Sequence, residues 1–136
     1  MIVHRHQLRV RYGETDQMGY LYYGHYPAYY EVARAEMIRS LGYTYRKLEE
    51  ELNIMMPVMS LNMRYVRPAK YDDLLFIQTE ILKINGSRII FIYEIRNQKN
   101  ILIATANTEL VFLNSDTMKP THVPTEILAF HETEIK

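Results

Sequence analysis

Asp16 is the residue in this chain most open to chemistry. It lies in Gly13-Glu14-Thr15-Asp16-Gln17-Met18-Gly19-Tyr20-Leu21-Tyr22-Tyr23-Gly24-His25-Tyr26, where three glycines and a Thr-Asp pair indicate a structured loop. A carboxylate in such a place has two readings. It acts as a nucleophile or general base, or it is an Asx-turn or cap residue ahead of a helix. Thiolate chemistry and disulfides are excluded, because the sequence contains no cysteine. The five histidines are scattered and form no ligand set, so no metal is expected. No phosphate-binding glycine loop is present. The loop is also rich in tyrosine: seven of the 12 fall between Tyr12 and Tyr30. Aromatic residues at that density pack in a core or at an interface.

The elements that must hold this loop can be read from periodicity. From Val3 to Tyr12 the residues alternate, with His6, Leu8, Val10 and Tyr12 on one face and Arg5, Gln7, Arg9 and Arg11 on the other. That is the pattern of a half-buried strand. A helix begins near Gly24 to Pro27, since proline is tolerated in a first helical turn. Tyr26, Tyr30, Ala33, Met37 and Leu41 form its apolar stripe, and Glu31–Arg34 and Glu36–Arg39 are spaced as ion pairs on more polar faces. Gly42 is placed to cap its end. A second, short helix is predicted over Thr44 to Leu52, with Thr44 as its N-cap. Strands follow at Val58 to Val66, Leu74 to Ile84, Ser87 to Arg96 and Ile101 to Leu113. Asn85-Gly86 between two β-rich runs signals a tight hairpin. A final helical turn is predicted over Pro124 to Phe130.

Consecutive strands joined by short turns imply an antiparallel sheet. The one long amphipathic helix must cover its apolar face. The predicted class is α+β: a long, curved antiparallel sheet of about five strands wrapped around one long helix, in a single domain over residues 1–136. The formal net charge is zero, which argues against a nucleic-acid partner. No stretch is apolar for long enough to span a bilayer, and the N-terminus lacks a signal-type apolar segment. A cytoplasmic protein is expected.

That layout resembles the hotdog fold, and the loop motif resembles the signature of the 4-hydroxybenzoyl-CoA thioesterase family, which includes the Tol-Pal-associated small acyl-CoA thioesterases. The resemblance extends to Tyr29-Tyr30-Glu31-Val32-Ala33-Arg34 and to Tyr65-Val66-Arg67-Pro68-Ala69 with Asp73-Leu74-Leu75. It implies acyl-CoA hydrolysis with Asp16 as the catalytic carboxylate. It places the amides that polarise the thioester carbonyl at the start of the long helix, at Tyr23 and Gly24. A glycine there would let substrate approach the backbone closely. Tyr12, Gly19 and His25 are expected around the substrate. His25 is not expected to be the base, because the histidine frequent in the family falls at the position of Tyr23. Ser87 and Arg88 after the hairpin glycine, together with Arg67 and Lys70, are the expected CoA contacts. The resemblance further implies a homodimer or homotetramer with sites at the dimer interface, and no cofactor other than the CoA of the substrate. Two alternatives remain open from the residues: a thioesterase acting on acyl-carrier protein, and a non-catalytic dimeric module that binds acyl thioesters.

Overall fold

The computed structural model describes residues 3–125, 127 and 128. The chain forms β1 (Val3–Arg9), then two short 3-10 turns at Tyr12–Glu14 and Tyr23–His25. The helices α1 (Tyr26–Ser40) and α2 (Tyr45–Glu50) come next. The strands β2 (Ile54–Met55), β3 (Val58–Tyr65), β4 (Leu74–Asn85), β5 (Arg88–Arg96), β6 (Leu102–Val111) and β7 (Leu113–Asn114) complete it. Five strands make one antiparallel sheet in the order β1-β4-β5-β6-β3, and β2 and β7 pair separately. That small pair is too short to show a period of two in the sequence. Thr125, Ile127 and Leu128 are helical, while positions 126, 129 and 130 of the last predicted turn lie outside the described residues.

Alternation explains the sheet. Leu75, Ile77, Thr79 and Ile81 on β4, and Ile89, Phe91, Tyr93 and Ile95 on β5, are buried. They join one core cluster with Tyr26, Tyr29, Tyr30, Ala33, Met37 and Ile38 of α1. The helix packs on β1 and β4. It stops where predicted. The Tyr43 amide donates to the Ile38 carbonyl at 3.2 Å and the Gly42 amide to Arg39 at 3.0 Å, with Gly42 at φ +97. This is a Schellman end, which needs the left-handed backbone that glycine supplies without strain. The Thr44 side chain accepts from the Lys47 amide at 2.9 Å, a cap worth about 1 kcal/mol.

Four sequence expectations need correction. The first strand ends at Arg9, because Val10 leaves it to exchange backbone bonds with Asp72 and Asp73. The hairpin turn is Gly86-Ser87, one residue later than Asn85-Gly86: Asn85 pairs with Arg88, and Gly86 alone takes positive φ, +64, as a type II′ turn requires. Arg34 does not face solvent beside Glu31. It is buried and donates to the Tyr45 hydroxyl at 2.7 Å and the Tyr93 hydroxyl at 3.1 Å, so phenol oxygens solvate the guanidinium. Tyr12 is 78% exposed, because the 3-10 turn takes it off the face of Leu8 and Val10.

Candidate active site

The loop between β1 and α1 is held by Glu14. One carboxylate oxygen accepts from the Arg11 amide at 2.9 Å and from the Tyr29 hydroxyl of α1 at 2.7 Å. The other meets the Arg11 guanidinium at 3.1 Å. Burial alone would raise this carboxyl, but these donors outweigh it and bring it down to about 2. For Tyr29, burial and then the bond to Glu14 both push the phenol up. The Thr15 hydroxyl donates back to the Tyr12 carbonyl at 2.7 Å, and the Tyr22 amide donates to the Glu14 carbonyl at 2.9 Å. The motif before Asp16 is thus a clamp that ties the loop to the helix.

Asp16 follows the clamp. Its Oδ1 accepts from the Met18 amide at 2.9 Å and the Tyr20 amide at 3.2 Å, closing an Asx turn. Gly19 takes φ +79 in that turn, and its amide donates to the Asp16 carbonyl at 3.0 Å. Asp16 Oδ2 accepts no hydrogen bond among the described residues. The structural and catalytic readings of this side chain are therefore compatible: one oxygen builds the turn and the other remains available.

Asp16 lines a cavity of about 280 Å³ with Tyr20, Tyr23, Tyr26, Tyr65 and Arg67 among its walls. Tyr23 and Gly24 open the 3-10 turn that runs into α1. The first amides of a helix have no acceptor inside it. Among the described residues, neither of these two donates to a loop carbonyl or a side chain. The partial positive charge of the helix start lies at the same point. Tyr26 is buried, and burial is the main cause that pushes its phenol up to about 12, leaving it neutral.

The other predicted residues fall in different places. His25 stacks edge-on against Tyr22, with centroids 5.8 Å apart, and does not line the cavity. A Cβ on Gly24 would come 2.7 Å from the Tyr22 ring, so the missing side chain makes room for that ring. Tyr12 packs edge-on against Tyr71 at 5.5 Å, outside the cavity wall. Lys70 pairs its backbone with Tyr20, next to the cavity. Ser87 and Arg88 lie at the opposite end of the sheet. Arg88 is level with Val111 on β6, whereas the Val66 amide at the cavity donates to Ile103. Eight residues of strand separate those levels, roughly 27 Å at about 3.4 Å each. Three residues that hold the site were not singled out from the sequence: Glu14, Tyr29 and Tyr65. All three fall in the runs that carry the family resemblance, but nothing in the sequence assigned them a role at the site.

A larger cavity, about 490 Å³, lies on the outer face of the sheet between Asn62, Arg64, Gln78, Glu80, Glu94 and Asn107. It holds no free helix amides. The smaller cavity combines the Asp16 carboxylate, Tyr23 of the helix start and apolar walls, which is the better basis for chemistry.

Residues 10–130 match the model of the thioesterase-like superfamily. The chain belongs to that superfamily. Members similar to this thioesterase-like chain include acyl-CoA thioester hydrolase YbgC of Escherichia coli O6:H1, 36% identical over 125 residues that cover 92% of each chain. Acyl-CoA thioesterase YbgC of Haemophilus influenzae is 35% identical over 126 residues, 91% of each. Among solved structures, a DHNA-CoA thioesterase from Staphylococcus aureus superposes with a TM-score of 0.87 at 35% identity, covering 98% of this chain and 89% of that one. A mutant 4-hydroxybenzoyl-CoA thioesterase complexed with 4-hydroxybenzoyl-CoA gives the same TM-score at 22% identity, with 95% and 98% covered, and agrees in fold. The five-stranded antiparallel sheet around one long helix is therefore the hotdog fold of these thioesterases.

Proposed function

We propose that this protein hydrolyses acyl-CoA thioesters in the cavity that contains Asp16, releasing a carboxylic acid and CoA. The thioesterase family and its curated acyl-CoA hydrolase relatives support the reaction class. The observation that carries the site is local: Asp16 Oδ2, which accepts no hydrogen bond among the described residues, shares a small apolar cavity with Tyr23, and among those residues the Tyr23 and Gly24 amides at the helix start donate to no loop carbonyl or side chain.

In the proposed reaction the thioester carbonyl accepts from the Tyr23 and Gly24 amides, which stabilise the negative charge that develops on its oxygen. Asp16 either takes a proton from water as water attacks, or attacks the carbonyl itself to form a mixed anhydride that water then opens. In both routes a C–O bond replaces the C–S bond, and the departing thiolate takes up a proton. Arg67, on the cavity wall, is placed for a phosphate or carbonyl of the CoA arm. No resident cofactor or metal is invoked. Dialysis against a chelator should leave the rate within about twofold, since no step here uses a metal ion.

The assembly we propose is a homodimer built on β3. This strand is an edge of the sheet and exposes Val58, Met59, Leu61 and Tyr65. An apolar, unpaired edge favours pairing with a second copy. Antiparallel pairing of β3 with its symmetry mate would set the Tyr65 end of one chain beside the Val58 end of the other. Val58 is level with Leu110, and Arg88 with Val111, so the hairpin of the second copy would lie at the same end as Asp16. Ser87 and Arg88 would then serve the site of the other chain. A pair of such dimers would form the tetramer. The lack of cysteine agrees with a reducing, cytoplasmic setting.

The test is thiol release from acetyl-, butyryl- and benzoyl-CoA, with light scattering at micromolar concentration alongside. Release well above the uncatalysed rate by a dimer or tetramer is expected. Binding without release would support a non-catalytic module instead, and a monomer that turns over would remove the shared site.

A further inference from the structure

Tyr65 is the last residue of β3, yet its hydroxyl reaches the turn at the start of α1. It donates to the Tyr23 carbonyl at 3.1 Å. Its ring packs edge-on against Tyr26, with centroids 4.9 Å apart, and against Tyr23 at 6.3 Å. Its backbone is pinned to β6. Tyr65 pairs with Ala104 of β6, and the next two amides, Val66 and Arg67, both donate to the Ile103 carbonyl at 2.9 and 3.0 Å. The phenol is therefore presented from a fixed strand rather than a loose loop.

The carbonyl of Tyr23 and the N–H of Gly24 belong to one planar peptide unit. In a trans peptide they point in opposite directions, so fixing the carbonyl fixes the aim of the N–H. A donor on the carbonyl oxygen also polarises the unit and strengthens its N–H as a donor. Resting on the hydrolysis proposed above, we infer that Tyr65 is a positioning residue. Its hydroxyl sets the direction and strength of the Gly24 amide that receives the thioester oxygen, and so links the sheet to the oxyanion site without touching substrate through that hydroxyl.

A purely structural role is the competing account: the phenol closes the cavity wall and nothing more. The two accounts differ in what Tyr65→Phe does, because Phe retains the ring and loses only the hydroxyl. With whichever of acetyl-, butyryl- and benzoyl-CoA the wild type hydrolyses fastest, Tyr65→Phe should lower kcat by about tenfold. That is less than the 10²–10³ that follows loss of an oxyanion donor itself. KM should stay within about twofold, and the melting temperature should be unchanged. Tyr65→Leu removes the ring as well and should also raise KM.

A spectroscopic arm reads the amide directly. In the slow Asp16→Asn background, the infrared carbonyl stretch of the bound thioester should move to higher wavenumber when Tyr65→Phe is added, reporting weaker polarisation. An active wild type with Tyr65→Phe at wild-type kcat and an unmoved stretch overturns the inference while leaving the hydrolase reading intact. A rise in KM alone also overturns it, in favour of the wall. A wild type that releases no CoA removes both.

Discussion

The two ends of the sheet are built differently. At the end next to α1, hydrogen bonds cross from loop to helix (Glu14 to Tyr29) and from strand to loop (Tyr65 to Tyr23), and Asp16 closes its own turn between them. At the hairpin end, Gly86-Ser87 is a two-residue turn, and the half-exposed Arg88 side chain pairs with Glu109 at 3.2 Å. The first end is tied together by side-chain bonds between separate elements, the kind of positioning that bond-making chemistry requires. The second presents a half-exposed cation beside a short turn, which suits electrostatic contact with the phosphates of a long substrate. Under the proposed function this contrast would divide the labour: chemistry at the Asp16 end, with the nucleotide held at a distance by the hairpin of a second copy.

The largest expected effect follows removal of the carboxylate. Asp16→Asn retains an acceptor for the Asx turn but loses the charge, so kcat should fall by about 10²–10⁴ with little change in melting temperature. A loss confined to stability would return Asp16 to a structural role. Glu14→Ala comes next. It would leave the buried Tyr29 hydroxyl without its acceptor, at a cost of about 1–3 kcal/mol, and should lower both the melting temperature and kcat.

The Glu14 clamp also fixes a pH dependence. Its carboxyl is held at about 2, below the ordinary 4.5. The clamp's stabilisation is therefore complete above pH 4.5 and is lost as the pH falls from there towards about 2. Thermal melts across that window should show a steeper decline for the wild type than for Glu14→Gln. Equal slopes would remove the clamp from the account of stability.

At the hairpin end the effects should be small. Arg88→Ala should raise KM for acyl-CoA by about two- to fivefold, the size of an exposed ionic contact, with kcat unchanged. No change for acyl-CoA would take the hairpin out of substrate binding. Smallest of all, Tyr23→Phe should leave kcat within about twofold, because the backbone N–H survives. A large loss there would mean that the phenol itself takes part.

Much of this was legible in the sequence for stated physical reasons. Alternation along β4 and β5, the helical stripe from Tyr26 to Met37, and the Gly42 and Thr44 end signals are local patterns, and they recovered the succession of the five long strands and two helices along the chain. The loop motif brought out Asp16 and Tyr23, which line one cavity with Arg67. What sequence could not supply was contact over long separations. Tyr65 lies 42 residues from Tyr23, and no periodicity links them. Arg34 had the spacing of a surface ion pair, yet the phenols that solvate it come from α2 and β5. Tyr12 was read on a strand face that ends before it, since the Arg11–Glu14 contacts that close the 3-10 turn look in sequence like ordinary surface charge.

The central claim is that the thioester is cleaved at the Asp16 end, on the first amides of the helix. The most direct measurement is a crystal structure of Asp16→Asn with an unhydrolysed acyl-CoA. The account predicts the thioester oxygen at about 2.7–3.1 Å from the Tyr23 and Gly24 amides, with residue 16 beside the carbonyl carbon. The nucleotide should extend toward Ser87 and Arg88 of a second copy. A thioester seated instead in the polar cavity on the outer face of the sheet, between Gln78 and Glu94, would contradict it.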